Sequence, residues 1–296
     1  MSDFVKIVEC PRDAWQGLPG VIPTERKADY LRKLVAAGFT HIDAVSFVSS
    51  AAIPQMADSE AVLELLGPQS NVELIGIVVN ERGAERAVKI GGVQTLGFPY
   101  SISQEFLRRN QNQSREESLS VLKSTATLAR HAGVQIVAYV SMAFGNPYGD
   151  AWNLDEVIRA CGQLLDLGIR QISLADTVGL SIPAQITDTL ARTLETFVGI
   201  EIGVHLHARR TDAPAKIRAA YHAGCRRFDS ALGGLGGCPF AQDELVGNIP
   251  TEILINQMKE LGAKMHQVQP LDELLVTSNE IASEFGTAKE GSSVKS

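Results

Sequence analysis

Residues 167–177 read Leu-Gly-Ile-Arg-Gln-Ile-Ser-Leu-Ala-Asp-Thr and form one copy of the unit that decides the fold. A helical pattern over 154–167 ends at Gly168, because glycine readily adopts the backbone conformation that terminates a helix. A short apolar strand follows over 171–175, and the polar pair Asp176-Thr177 comes directly after it. The stretch therefore predicts a helix, a turn and a strand that delivers polar side chains to one end of a sheet.

The same unit recurs along the chain. Helix-ending glycines also occur in Ala37-Gly38, Ala132-Gly133 and Ala223-Gly224, and a strand pattern follows each of them. The predicted strands are 5–10, 41–48, 72–79, 93–99, 134–142, 171–175, 201–207 and 226–232. The helical patterns lie near 24–37, 58–66, 81–90, 104–132, 154–167, 183–197, 211–223 and 248–261. Eight such units predict an α/β fold, a closed (β/α)8 TIM barrel, with an open doubly wound sheet as the alternative.

We expect a single domain. The length of 296 residues is usual for one barrel, and no shift in composition marks a second domain. The predicted domain spans 1–286 and includes a further helix near 271–285 that covers an outer face. Residues 287–296 are polar and contain glycine and serine, so they are predicted to form a flexible tail.

Charge and hydropathy exclude two classes of partner. The formal net charge is −7, whereas a general nucleic-acid-binding protein needs a basic face. The basic pairs Arg108-Arg109 and Arg209-Arg210 either meet a phosphate or are simply solvated. No apolar run approaches the roughly 20 residues of a membrane span, and the start Met1-Ser2-Asp3-Phe4 lacks the features of a signal peptide. We therefore expect a cytoplasmic protein with no nucleic-acid or membrane partner.

Polar and titratable side chains collect where the predicted strands end. In (β/α)8 barrels the chemistry lies at the carboxyl ends of the strands. Those ends carry Arg12 and Asp13 after the first strand, Asp43 and Ser46 in the second, Asp176 after the sixth, His205 and His207 on the seventh, and a loop with Cys238 after the eighth. These residues predict a pocket at one rim of the barrel.

Three of these residues have the chemistry of a metal site. His205 and His207 are two residues apart on a strand, so both imidazoles leave the same face, and Asp13 adds an anionic oxygen. Asn248 either supplies an amide oxygen or caps the helix that follows it. Such ligands, with room for a substrate, favour Mg²⁺ or Mn²⁺, and the alternatives are Zn²⁺ and Fe²⁺.

Three further groups have more than one interpretation. Arg12 keeps its charge and either stabilises negative charge on a substrate oxygen or forms an ion pair with Asp13. Asp176 takes part in the chemistry, orients a ligand or caps a turn. Cys238 lies in the glycine-rich run 233–239, and it either transfers a proton from a loop that closes over a ligand or is a buried spectator.

Several motifs occur together in an order that resembles the hydroxymethylglutaryl-coenzyme A lyases, which are metal-dependent (β/α) barrel enzymes. The resemblance runs from about Val5 to Glu252. It rests on the segments Glu9-Cys10-Pro11-Arg12-Asp13, Ser46-Phe47-Val48-Ser49, Pro54-Gln55-Met56-Ala57-Asp58, Ser103 to Leu119, Ser173-Leu174-Ala175-Asp176-Thr177, and Gly233 to Ala241 with Gly247-Asn248. Their joint occurrence is far more specific than any one of them.

The resemblance implies roles for the matching residues. The implied ligands of the divalent cation are Asp13, His205, His207 and Asn248. The implied catalytic residues are Arg12 at an enolate-like oxygen, Cys238 in proton transfer, Asp176 as an acid–base or orienting group, and Asp43 at the position of the family's glutamate. The implied contacts of the acyl-CoA substrate are Gln16, Ser46, Ser103, Asn110, Gly236 and Gly237. The implied reaction is retro-Claisen cleavage of 3-hydroxy-3-methylglutaryl-CoA into acetyl-CoA and acetoacetate, and we expect a homo-oligomer, a dimer.

The chain also departs from the family pattern. Asp43 stands where the family has a longer glutamate. Ala208-Arg209 replaces an Asp-Thr pair, which removes an expected partner of a metal ligand. Trp15 reshapes the pocket, and Pro19-Gly20 falls where the family has a lysine for the coenzyme. The alternatives are therefore a lyase or aldolase for another 3-hydroxyacyl-CoA or a free hydroxy acid, and a decayed barrel that only binds ligands.

Overall fold

Eight parallel strands form a closed barrel in the computed structural model, which describes residues 4–236 and 246–286. The strands are β1 (Phe4–Glu9), β2 (His41–Ser46), β3 (Glu73–Ile77), β4 (Thr95–Ser101), β5 (Gln135–Ser141), β6 (Gln171–Asp176), β7 (Glu201–Ala208) and β8 (Arg227–Ser230). Each strand pairs with the next, and β8 pairs with β1. The predicted (β/α)8 TIM barrel is confirmed, and the open doubly wound sheet is wrong because β1 and β8 pair with each other. Two short strands, β9 (Gly247–Asn248) and β10 (Lys264–Met265), pair with β7 and β1.

Helices surround the barrel and follow the predicted alternation. They are α1 (Pro11–Gln16), α2 (Thr24–Ala36), α3 (Ser59–Leu66), α4 (Glu81–Ile90), α5 (Gln104–Gln111), α6 (Arg115–Ala132), α7 (Leu154–Asp166), α8 (Pro183–Thr196), α9 (Ala213–His222), α10 (Thr251–Glu260) and α11 (Leu271–Phe285). The sequence pattern did not predict α1, which follows β1 at once. The helix predicted over 248–261 begins only at Thr251, because Asn248 belongs to β9 and Pro250 precedes the first turn.

The helix predicted over 104–132 is two helices, α5 and α6. Asn112 ends α5 in the left-handed conformation, with φ of 52°. Ser114 then begins α6, because its Oγ accepts a hydrogen bond from Glu117 N while the Glu117 carboxylate accepts one from Ser114 N. This capping box starts a new helix, so the prediction of one continuous helix is wrong.

Apolar side chains pack in two groups. The larger group lies between the strands and the helices. The smaller group comes from alternate positions of the strands and consists of Val8, Cys10, Ile75, Ile77, Val137 and Tyr139. Cys10 is fully buried in this group, and burial raises the pKa of its thiol well above the ordinary value. Cys10 is therefore a core residue and not a reactive thiol.

The helix α11 joins the barrel wall and confirms the further helix near 271–285. Its Phe285 O accepts a hydrogen bond from Gly20 N (2.8 Å), and its Ser278 Oγ donates to Leu232 O (3.2 Å). The single domain over 1–286 stays a prediction, and the tail predicted over 287–296 lies outside the described residues. Within the described ranges, no helix is both long and apolar enough to cross a bilayer.

Glu9, the last residue of β1, links the first strand to the segments that follow β8. Its carboxyl group accepts hydrogen bonds from Leu232 N (2.9 Å), after β8, and from Thr251 Oγ1 in α10. The side chain is 1% exposed. Burial raises its pKa from the ordinary 4.5 to about 8. The folded protein therefore holds a proton on Glu9 at pH values where the unfolded chain has released it.

The substitution Glu9→Gln tests this buried proton. Between pH 4.5 and 8 the folded wild type binds more protons at this site than the unfolded chain, so its free energy of unfolding falls as the pH rises. At roughly 1.4 kcal/mol per pKa unit, this site lowers the stability by about 3 kcal/mol from pH 5 to pH 8. Glutamine has no such proton. In urea unfolding, the free energy of unfolding of the variant should therefore rise by about 3 kcal/mol relative to that of the wild type from pH 5 to pH 8. Parallel pH profiles for the two proteins would contradict the assignment.

Candidate active site

A cavity of about 560 Å³ opens at the carboxyl ends of the strands. Of the residues predicted at the rim or as substrate contacts, the lining includes Arg12, Asp13, Gln16, Asn110, His205 and His207. Four others, Asp43, Ser46, Ser103 and Asp176, are buried but do not line the cavity. The sequence therefore predicted the rim correctly but overestimated how many polar groups face the cavity.

Asp13, His205 and His207 form one cluster of buried groups that could hold a metal ion. One ligand atom from each residue lies within 4.8 Å of those from the other two. The two imidazole rings are 5.1 Å apart between centroids, as expected for alternate residues on one face of β7. His205 Nε2 lies 4.0 Å from Asp13 Oδ2. This geometry fits a divalent cation held by two imidazoles and one carboxylate.

Two buried atoms beside this cluster lack partners, as an incomplete coordination shell would require. His207 Nε2 and Asn248 Oδ1 have no hydrogen-bond partner among the described residues. Asn248 Nδ2 donates to Asp13 Oδ2 (2.7 Å) and to Leu235 O (2.9 Å), which leaves the amide oxygen free. A buried polar atom without a partner costs about 1–3 kcal/mol, so a ligand is expected there.

Asn248 reaches the cluster through β9, which pairs with β7 so that Asn248 lies opposite His207. The alternative role of Asn248 as a helix cap is wrong, because α10 begins three residues later, after Pro250. The sequence pattern could not distinguish these roles, since a two-residue strand has no periodicity.

Each histidine has an oxygen neighbour at its Nδ1, which is a hydrogen-bond acceptor for His207 and a carboxylate at ion-pair distance for His205. His207 Nδ1 lies 2.9 Å from Thr177 O, which requires a hydrogen on Nδ1 and leaves the Nε2 lone pair free. His205 Nδ1 lies 3.4 Å from Asp229 Oδ2. The expectation that Ala208 deprives a ligand of its partner is therefore wrong for His207. The Thr177 carbonyl, directly after β6, supplies that partner, and Asp229 on β8 lies beside His205.

The charges in the cluster favour the ionised carboxylate. Burial alone would raise the pKa of Asp13, but Arg12 and the two histidines lower it to about 2. Burial and the neighbouring His205 lower the pKa of His207, which favours its neutral form. A carboxylate and a neutral imidazole are the forms that bind a cation.

Arg12 is held by two carboxylates at the cavity wall. Its Nε donates to Asp43 Oδ1 (3.0 Å), its Nη2 to Asp43 Oδ2, and its Nη1 to Asp13 Oδ1 (3.1 Å). Burial would lower the pKa of Arg12, but Asp43 and Asp13 raise it above the ordinary value. The ion pair of Arg12 with Asp13 is confirmed. Arg12 also lines the cavity, and its action on a substrate oxygen stays a prediction. Asp43, which does not line the cavity, holds the Arg12 guanidinium in place.

Asp176 points away from the cavity. Its neighbours Ala175 and Thr177 line the cavity, and side chains alternate along a strand, so Asp176 faces the helices. Its Oδ2 accepts hydrogen bonds from Lys216 Nζ (2.8 Å) and Ser181 N (3.1 Å). This placement supports an orienting role more than a direct one.

The predicted substrate contacts divide into two groups. Gln16 and Asn110 line the cavity, and Gln16 Nε2 also donates to Asp13 Oδ1 (2.9 Å). Ser46 and Ser103 instead make local structural hydrogen bonds. Ser46 Oγ accepts one from Val48 N, and Ser103 Oγ accepts one from Phe106 N and so caps α5. Their structural hydrogen bonds explain why they appear in motifs without facing a ligand.

The glycine-rich run is described only in part. Gly236 has φ of 83°, and a Cβ there would lie 2.7 Å from Asp13 O, so only glycine fits so close to the cluster. Gly237 and Cys238 lie outside the described residues, and their roles stay predictions of the sequence.

Tyr139 is a candidate functional residue that the sequence analysis missed. It lines the cavity, its ring stands edge-on to that of His205 at 5.9 Å, and its buried hydroxyl has no partner among the described residues. Burial raises its pKa well above the ordinary value, so the hydroxyl keeps its proton. The one available signal was its place in a strand position that points inward.

The chain matches the family model described as HMGL-like over residues 5–281. It is 34% identical to hydroxymethylglutaryl-CoA lyase YngG of Bacillus subtilis over 276 residues, which is 93% of this chain and 91% of that protein. It is also 34% identical to the cytoplasmic 3-hydroxy-3-methylglutaryl-CoA lyase of Homo sapiens over 263 residues, 88% of this chain and 70% of that protein.

Solved structures of HMG-CoA lyases are also similar to this chain. An HMG-CoA lyase from Acinetobacter baumannii, in complex with coenzyme A and 3-methylmalate, superposes with a TM-score of 0.88 at 33% identity, covering 98% of this chain and 95% of that one. The HMG-CoA lyase from Brucella melitensis superposes with a TM-score of 0.87 at 29% identity, covering 97% of this chain and 100% of that one.

Proposed function

The chain belongs to the HMGL-like family, and from this membership we propose that it is a divalent-cation-dependent carbon–carbon lyase. Its reaction is the cleavage of 3-hydroxy-3-methylglutaryl-CoA into acetyl-CoA and acetoacetate. The observation that carries the proposal is the convergence of Asp13, His205, His207 and the free Asn248 Oδ1 at the mouth of the barrel. The family resemblance found in the sequence is confirmed by the relatives.

The donor set favours Mg²⁺ or Mn²⁺, because it combines carboxylate and amide oxygens with imidazole and leaves room for substrate oxygens. Zn²⁺ is the alternative. When bound there, the cation supplies a Lewis acid that lowers the pKa of the substrate's tertiary hydroxyl.

The residues at the cavity wall suit the charge changes of a retro-Claisen cleavage. The hydroxyl at C3 gives its proton to a general base and becomes the ketone of acetoacetate as the C2–C3 bond breaks. The electron pair of that bond passes into the thioester enolate, which takes up a proton at C2, so the two proton transfers balance. Arg12 keeps its charge and stabilises the enolate oxygen, while Asp43 holds the guanidinium in place. Tyr139 donates a hydrogen bond to a substrate oxygen. Cys238, proposed from the sequence, supplies the proton at C2.

The sequence leaves two alternative functions open. The relatives give no separate support to a different 3-hydroxyacyl-CoA or a free hydroxy acid as the substrate. The intact Asp13, His205 and His207 cluster argues against a decayed barrel that only binds ligands. A cytoplasmic location and a homodimer stay predictions of the sequence.

An assay of the purified protein tests the function directly. With Mg²⁺ or Mn²⁺, 3-hydroxy-3-methylglutaryl-CoA should yield acetyl-CoA and acetoacetate in equal amounts. Activity should disappear with a chelator and return when the cation is restored. Cleavage of another 3-hydroxyacyl-CoA but not of this one would favour the alternative substrate, and no cleavage of any would contradict a lyase.

Arg109 is the candidate anchor for the phosphates of the coenzyme. It lines the cavity from α5, whereas Arg108 beside it does not, although both side chains pair with Glu105. The guanidinium of Arg109 also lies over the ring of Tyr148 at 4.7 Å, which holds it at the cavity mouth.

The substitution Arg109→Ala should raise KM for the acyl-CoA about 5- to 10-fold with little change in kcat, because binding energy remote from the reacting bond is lost. Arg108→Ala is the matched control and should leave both constants near wild type. A short pantetheine thioester without phosphates should be cleaved equally by all three proteins. Equal effects of the two substitutions on KM would contradict the assignment.

A further inference from the structure

A buried lysine lies directly behind the cluster on the helix side of the barrel. Lys216, on α9, is 5% exposed. Its Nζ donates to Asp176 Oδ2 (2.8 Å), to His207 O (2.8 Å) and to Gly179 O (3.1 Å). An ammonium group has three hydrogens to donate, so every one of them has an acceptor. Neither the motifs nor the proposed reaction assigns a role to this residue.

The acceptors of Lys216 belong to the two strand ends that carry the site. His207 O lies in the backbone of a proposed metal ligand. Asp176 and Gly179 bracket the turn that contains Thr177, whose carbonyl accepts from His207 Nδ1. The ammonium group of Lys216 therefore fixes both the backbone of His207 and the peptide that orients the His207 ring.

Asp176 completes this arrangement. Its Oδ2 accepts from Lys216 Nζ, Ser181 N and Ser181 Oγ, and the side chain faces the helices and not the cavity. A buried ammonium needs a compensating charge, which the carboxylate supplies. A carboxylate held in this way is an anchor, out of reach of a ligand in the cavity.

We propose that Lys216 and Asp176 form a positioning pair that sets His207 for metal binding, and that Asp176 does not transfer a proton to the substrate. The inference rests on the proposed function, since it needs a cation at Asp13, His205 and His207. It revises the acid–base role that the family resemblance implies for Asp176. It also identifies a support for His207 that compensates for the Asp-Thr pair missing at Ala208-Arg209.

Titration of the metal-free, full-length protein with Mn²⁺, followed by electron paramagnetic resonance, tests the pair. Lys216→Met and Asp176→Asn should each weaken Mn²⁺ binding by about 10- to 100-fold, the usual scale for losing a residue that orients a metal ligand. Because the two residues act as one unit, the double variant should bind no more weakly than the weaker single variant.

Lys27→Met is the matched control for loss of a buried lysine. Lys27, on α2, is 1% exposed and donates to Gln55 O and to Asp58 Oδ1 (2.6 Å), and none of these three residues lines the cavity. It should leave Mn²⁺ affinity unchanged even if it lowers thermal stability as much as Lys216→Met does. Asp176→Asn is nearly isosteric, so it tests the pair even if Lys216→Met fails to fold.

Two outcomes would overturn the inference alone. One is wild-type Mn²⁺ affinity in Lys216→Met and Asp176→Asn. The other is an Asp176→Asn variant with normal Mn²⁺ affinity, a lower kcat and a changed pH profile, which would make Asp176 a proton-transfer group. A wild-type protein that binds no Mn²⁺ would overturn the metal centre, and the inference with it.

Discussion

The negative charge of Asp13 is the constraint on which the site depends. Arg12 and Asn248 each donate a hydrogen bond to one of its oxygens, and His205 lies 4.0 Å away. A buried carboxylate without such neighbours would take up a proton. Here Arg12 and the two imidazoles lower its pKa to about 2. The same charge places a guanidinium at the cavity wall, turns the Asn248 amide so that its oxygen is free, and makes the cluster attractive to a cation.

The two faces of the barrel strands contribute differently to the site: one face carries the proposed ligands, and the other carries the residues that support them. On β7 the imidazoles of His205 and His207 face the cavity. On β6 the side chain of Asp176 faces outward and meets Lys216 on α9. Because neighbouring residues of a strand point to opposite faces, a ligand-binding group and its support can be adjacent in sequence without competing for space. The helix α9 thus contributes to the site through Lys216, although Lys216 does not line the cavity.

The sequence predicted the features that repeat and missed those that depend on contact between distant segments. Eight strand patterns with glycines after the helices were enough for a closed barrel, and alternation on one strand placed His205 and His207 together. The short helix α1 and the two-residue strand β9 have no period to detect, so the sequence placed Arg12 at the rim without its contacts and left two roles open for Asn248. Asp229 and Lys216 reach the histidines from other elements and carry no local signal. Asp176 belongs to a recognisable motif, but the motif does not reveal which way its side chain points.

The most direct test of the account is the position of a bound cation. Crystals of the full-length protein soaked in a manganese salt should show one strong anomalous peak in contact with Asp13, His205 and His207 and within reach of Asn248 Oδ1. A map without density between these side chains, with the protein folded and manganese in excess, would contradict the metal centre and the lyase mechanism built on it.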